Sequence, residues 1–139
     1  MLANKDSITR FIPQRAPFVM IDELISATEE GFETRFEIVA NNLFLEDGIL
    51  SESSLVENIA QTCAAGFGYV NSQAGKGEGQ LGFIGAVSRL TVSGTAKLGD
   101  KIETKVSVLN SFDAIHLIEG VAMCNETELV RCQLKIVIA

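Results

Sequence analysis

The sequence has no tryptophan, one tyrosine, one histidine and only two prolines among its 139 residues. A core made from this chain must therefore be aliphatic, with eight phenylalanines supplying most of its rings. Cysteine is sparse and odd in number. Cys63, Cys124 and Cys132 fit no metal-ligand spacing, and each lies in an apolar segment, as buried reduced thiols do. No metal site and no cofactor are implied. No apolar run reaches the roughly 20 residues that span a bilayer. Met1 to Arg10 is polar and lacks the apolar centre of a signal peptide. The expected compartment is the cytoplasm. Positive charge is also short, since 11 Lys and Arg face 18 Asp and Glu for a formal net charge of −7. Nucleic-acid binding needs basic surface to displace counterions and is not expected.

What is present is largely apolar. Hydrophobic residues make up 47 % of the chain and the mean hydropathy is +0.26. The length, residues 1–139, fits one domain. An apolar surplus on so small a domain implies a buried oligomer interface or a sheet covered on both faces. Ten acidic residues fall between Asp22 and Glu57 against Arg35 alone, and read as a solvated strand face and loops. Met1 to Ala16 is mildly basic through Lys5, Arg10 and Arg15.

Ser7 to Ile12 has room for a helical turn or two, stopped by Pro13. Pro13 and Pro17 bracket a stiff tripeptide, Gln14-Arg15-Ala16. Phe18 to Ser26 reads as a strand. After a turn at Glu29 to Gly31, Phe32 to Val39 alternates, with Phe32, Thr34, Phe36 and Ile38 on one face. Asn41 to Ser53 reads as a loop. A helix follows, with Ser54 as N-cap and Glu57 at capping-box spacing. Leu55, Val56, Ile59, Ala60, Cys63, Ala64 and Phe67 form its apolar face. Its many small residues would let a sheet wrap it closely, and Gly75 to Gly79 ends it in a loop. Leu81 to Ser93, Lys101 to Leu109, Ile115 to Cys124 and Leu129 to Ile138 read as strands, with a turn at Lys97 to Asp100. One helix beside a mostly antiparallel sheet is an α+β layout.

Two segments carry a resemblance. Pro13-Gln-Arg-Ala-Pro-Phe-Val-Met-Ile-Asp-Glu23 resembles the opening of the hotdog-fold (3R)-hydroxyacyl-acyl-carrier-protein dehydratases, where a His-Arg-x-Pro-Phe run enters an apolar strand. Ser54-Leu-Val-Glu-Asn-Ile-Ala-Gln-Thr62 is similar to their central helix. A weaker third segment, Leu81 to Asp100, resembles the long strand and Leu-Gly-Asp turn that follow it. The resemblance implies an antiparallel sheet wrapped around one long helix, with subunits paired sheet to sheet as a homodimer or trimer of dimers. It implies an acyl thioester substrate, carried on acyl carrier protein or coenzyme A, in a tunnel at the interface. A histidine would take the C2 proton and a helix carboxylate would protonate the leaving C3 hydroxyl.

Carried over residue by residue, Glu57 takes the place of the carboxylate. The chemistry wants a carboxyl group in an apolar tunnel, where it can hold and release a proton. Spacing alone favours a helix-capping Glu57 that reaches back to Ser54. Gln61, one turn on, is either an orienting partner for Glu57 or an exposed helix residue. Gln14 stands where the resemblance implies the histidine, and an amide cannot act as a base at ordinary pH. His116, in a late strand, reads as an ordinary strand residue. Asn42 to Ser53 departs from the family's Gly-His-Phe-Pro-Gly loop. Gly82 and Gly85 fit close backbone approach to an acyl thioester or bending of the strand. Phe18 is a further candidate for substrate contact. Arg15, Arg10 and Lys5 are candidates for contact with an acidic carrier or a phosphopantetheine. Three functions follow: a dehydratase-like protein with reduced or altered activity, a non-catalytic hotdog subunit paired with an active homologue, or a thioesterase using Glu57.

Overall fold

The computed structural model describes residues 1–75 and 82–138. Within the loop expected at Gly75 to Gly79, residues 76–79 lie outside the described residues, as does Leu81, where the long strand was expected to begin. A short 3-10 turn, Ile8–Arg10, opens the chain. The strands that follow are β1 (Glu23–Ala27), β2 (Gly31–Glu37), β3 (Leu45–Glu46) and β4 (Ile49–Leu50). Helix α1 spans Glu52–Gln73. After it come β5 (Gly82–Val92), β6 (Ala96–Lys97), β7 (Lys101–Phe112), β8 (Ile115–Cys124) and β9 (Thr127–Ile138). Six strands form an antiparallel sheet in the order β1-β2-β7-β8-β9-β5, and β3, β4 and β6 form a small second sheet. This one-helix, wrapped-sheet α+β layout is the hotdog fold.

Alternation decides which face of the sheet meets the helix. Phe32, Thr34, Phe36 and Ile38 are all buried as their spacing predicts. On β7, Ile102, Thr104 and Val106 point in while Lys101, Glu103 and Lys105 point out. Leu55, Ile59 and Cys63 of α1 lie in the same core as these residues. The close approach is literal at two glycines. A Cβ on Gly120 of β8 would stand 2.3 Å from the Ile59 side chain, and one on Gly66 of α1 would meet the Phe32 ring at 2.1 Å.

Three local expectations change. Helix α1 begins a turn earlier than Ser54. Ser51 is the N-cap, with extended backbone and a side chain that accepts from the Ser54 backbone N–H at 3.3 Å. The run Ser51-Glu52-Ser53-Ser54 offers several caps, and choosing the first places Glu57 beyond the capping turn. The expected loop at Asn41 to Ser53 contains β3 and β4. The strand expected from Phe18 is regular only from Glu23. Upstream of it the backbone is held by helix side chains. Asn58 Nδ2 donates to the Met20 carbonyl at 2.7 Å, and Gln61 Oε1 accepts from the Met20 N–H at 2.7 Å. The amide side chains thus take the place of a neighbouring strand.

The two edges of the large sheet differ. β1 is short, and the chain itself covers it through a bridge between Ala3 and Leu24. β5 is long, has no strand partner on its outer side among the described residues, and leaves Ile84, Val87, Leu90 and Val92 exposed. Bare apolar edges of this length are rare in single chains.

Candidate functional site

A cavity of about 260 Å³ runs beside α1, between the helix, the Pro13-Gln14 segment and strands β5 and β9. Glu57, Ala60, Ala64 and Phe67 line it from the helix, and Gly82, Ile84 and Ile136 from the sheet. The first and last lining positions on the helix, Glu57 and Asn71, are fourteen residue steps apart, a span of roughly 21 Å at about 1.5 Å per residue. Small residues at Ala60, Ala64 and Gly68 leave room for the cavity on its helix side. Gly68 is also required by the neighbouring segment, since a Cβ there would lie 2.6 Å from the Phe11 carbonyl oxygen.

Glu57 and Gln14 meet at this cavity within one chain. Gln61 Nε2 donates to Glu57 Oε1 at 3.3 Å and to the Phe18 carbonyl at 2.9 Å. With its Oε1 on Met20, Gln61 is fully engaged and buried, so it fixes the carboxylate rather than facing solvent. Gln14 is different. Its Oε1 is buried and has no hydrogen-bond partner among the described residues. A buried orphan acceptor is costly and calls for a donor.

The remaining candidates are spread out. Gly82 lines the cavity, whereas Gly85 does not. Gly85 sits where the β5–β9 register shifts between Ile84 and Ala86, so it bends the strand. Phe18 is outside the lining and half exposed, with its ring 6.4 Å from Phe44. Arg15 is committed locally, since its Nη1 donates to the Ile12 and Gln14 carbonyls at 2.7 and 2.8 Å. Lys5 lies 4.0 Å from Asp22, and Arg10 stands over the Phe11 ring. Sequence reasoning read His116 as an ordinary strand residue and did not place it near the cavity. Its ring stacks 4.4 Å from Phe67, one of the cavity residues, and desolvation lowers its pKa below the ordinary 6.5. Cross-strand register with β9 was the only signal for this, and register is not written in a single sequence. Among the described residues, no group of three His, Cys, Asp or Glu is placed to hold a metal ion. Burial pushes the Cys132 thiol up to about 11 and the Cys63 thiol higher still, so both are inert at neutral pH. No helix among the described residues is long and apolar enough to cross a membrane.

Fold and site together define a hotdog domain with a cavity beside its central helix and a helix carboxylate in the lining. The sequence profile of the ApeP-like family, ApeP dehydratase, matches residues 6–138, and the chain belongs to that family. No curated protein matches it. Among solved structures, the dehydratase heterocomplex ApeI:P from Xenorhabdus doucetiae superposes with a TM-score of 0.88 at 20 % identity, covering 95 % of this chain and 90 % of that one. The uncharacterized protein PH1136 from Pyrococcus horikoshii gives 0.71 at 12 % identity over 94 % and 92 %. A hypothetical thioesterase with coenzyme A from Streptococcus pneumoniae TIGR4 gives 0.65 at 12 % identity, covering 84 % of each chain.

Proposed function

We propose that this chain is a dehydratase-like subunit that binds a 3-hydroxyacyl or 2-enoyl thioester, on acyl carrier protein or coenzyme A, along helix α1. The observation that carries the reading is the cavity where Glu57, held by Gln61, faces the orphan Oε1 of Gln14. In dehydration a base removes the C2 proton, the C3–O bond breaks, and a carboxylic acid gives its proton to the departing hydroxyl, which leaves as water. Glu57 is suited to the acid step. Gln14 Oε1 is suited to accept a hydrogen bond from the substrate hydroxyl. Neither supplies the base, and Gln14 cannot take a proton.

The base is therefore assigned to a histidine of a homologous subunit. Such a subunit would pair along the bare edge of β5, whose Gly82 and Ile84 already border the cavity. The ApeI:P assembly, described as a heterocomplex, supports a mixed pairing over a homodimer or trimer of dimers.

Purified alone, the chain is expected to hydrate a 2-enoyl pantetheine thioester at background rate. Gln14→His is expected to create measurable hydration, and adding Glu57→Gln is expected to lower it by about 100-fold or more. Robust turnover by the unaltered chain would overturn the incomplete-site reading. Release of free thiol that depends on Glu57 would instead establish a thioesterase, a second reading favoured by a cavity carboxylate without a histidine beside it.

A further inference from the structure

Gln14 sits in a strap of chain that runs beside helix α1 and is anchored to it at both ends. Upstream, Phe11 and Ile12 are buried, and the Phe11 carbonyl oxygen lies so close to Gly68 that a Cβ there would stand 2.6 Å from it. Downstream, Gln61 donates to the Phe18 carbonyl at 2.9 Å and accepts from the Met20 N–H at 2.7 Å, and Asn58 donates to the Met20 carbonyl at 2.7 Å. Between the anchors Pro13, Arg15, Ala16 and Pro17 are exposed and Gln14 is half-buried. Arg15 ties this middle stretch together. Its Nη1 donates to the Ile12 carbonyl at 2.7 Å and to the Gln14 carbonyl at 2.8 Å, and its own carbonyl accepts from the Phe18 N–H at 2.9 Å. The two carbonyls it holds lie on either side of the Pro13–Gln14 unit. The ring of Pro13 locks its φ, so fixing both carbonyls leaves Gln14 little backbone freedom.

That restraint matters because of where the side chain goes. Gln14 Oε1 is buried at the cavity without a partner among the described residues, while the backbone around it is open to water. A free amide on an exposed segment turns to solvent, where its oxygen is hydrogen-bonded. We infer that Arg15 is a positioning residue, which clamps the Ile12 and Gln14 carbonyls so that the Gln14 amide oxygen stays aimed at the cavity that Glu57 also lines. The inference rests on the acyl-thioester reading above for what that oxygen receives. The clamp needs N–H donors to two carbonyls at once, which a guanidinium or an ammonium supplies and an apolar side chain does not.

The test compares S-(3-hydroxyoctyl) pantetheine with S-octyl pantetheine, thioethers that bind but cannot be cleaved. Calorimetric titration of the unaltered protein is expected to favour the hydroxylated compound by about fivefold, the worth of one hydrogen bond to Gln14 Oε1. Arg15→Met keeps the apolar stem and removes the donors. It is expected to abolish that preference and to leave S-octyl binding within about twofold. Arg15→Lys, which keeps a charged nitrogen with three donors, is expected to retain the preference. NMR of the ligand-free protein follows the side-chain amide of Gln14, assigned by its loss in Gln14→Glu. Its exchange with water is expected to quicken by at least about tenfold in Arg15→Met and to hold in Arg15→Lys. A preference and an exchange rate unchanged in Arg15→Met, or lost as fully in Arg15→Lys, would overturn the clamp. Equal weakening of both ligands in Arg15→Met would mark a general loosening and overturn it as well. If neither thioether binds the unaltered protein, the acyl-thioester reading falls and the Gln14 exchange rate alone decides the clamp.

Discussion

Helix α1 has two unlike flanks. Toward the sheet, Leu55, Ile59 and Cys63 are fully packed, and a polar ladder runs through them. Asn58 Oδ1 accepts from Thr104 Oγ1 at 2.5 Å, Thr62 Oγ1 donates to the Asn58 carbonyl at 2.9 Å, and the Thr34 and Thr62 hydroxyls lie 2.7 Å apart. Every buried polar atom named there has a partner. Toward the cavity the helix shows Glu57, Ala60, Ala64 and Phe67, only partly covered, opposite an amide oxygen with no partner among the described residues. The contrast separates two tasks. The packed flank fixes the position of the helix, and the open flank leaves a cavity beside it.

The comparison breaks first at Asn58. Asn58→Ala is expected to leave the Met20 carbonyl and the Thr104 hydroxyl unpaired in the core. At about 1 to 3 kcal/mol for each orphaned group, the loss is about 4 kcal/mol in a urea unfolding midpoint analysis. A loss below 1 kcal/mol would mean that water replaces the amide and that the ladder does little for stability. Next is Ile59→Ala, expected to cost about 3 kcal/mol, because Ile59 is fully buried against Gly120. Ala64→Ser, on the open flank, is the matched control and should change stability by less than about 0.5 kcal/mol. Equal losses at the two positions would erase the distinction.

The smallest effect is a pH dependence on the open flank. Desolvation lowers the His116 pKa in the fold, so the unfolded chain binds the proton more readily. Stability from neutral His116 is full above about pH 6.5 and is lost as pH falls through 6.5 toward the lower folded value. Melting curves between neutral and mildly acidic pH should therefore fall less steeply for His116→Gln than for the unaltered protein. Identical slopes would mean that the imidazole is solvated and that the wall behind Phe67 is open.

Much of this was legible in the chain. Alternation in β2 and the helical period of α1 report which face is buried, because strand and helix geometry convert spacing directly into direction. The lack of tryptophan and the odd cysteines foretold an aliphatic core with unpaired thiols. The resemblance of residues 13–23 and 54–62 located Glu57, and it set Gln14 apart as an amide where a base was wanted. Spacing did not identify the helix cap among three nearby serines, because Ser51, Ser53 and Ser54 are chemically equivalent until the backbone entering the helix is fixed. It also gave no sign that Asn58 and Gln61 would hold the 18–20 backbone from about 40 residues away.

By itself the sequence determined the helix, the inward faces of the strands and the kinds of chemical group available, since each depends on neighbours a few residues apart. Tertiary structure alone decided that Gln14 and Glu57 share one cavity, that Gln61 is buried, and that His116 lies behind Phe67. Each of those depends on which strands pair and in what register, a choice made by packing across the whole sheet.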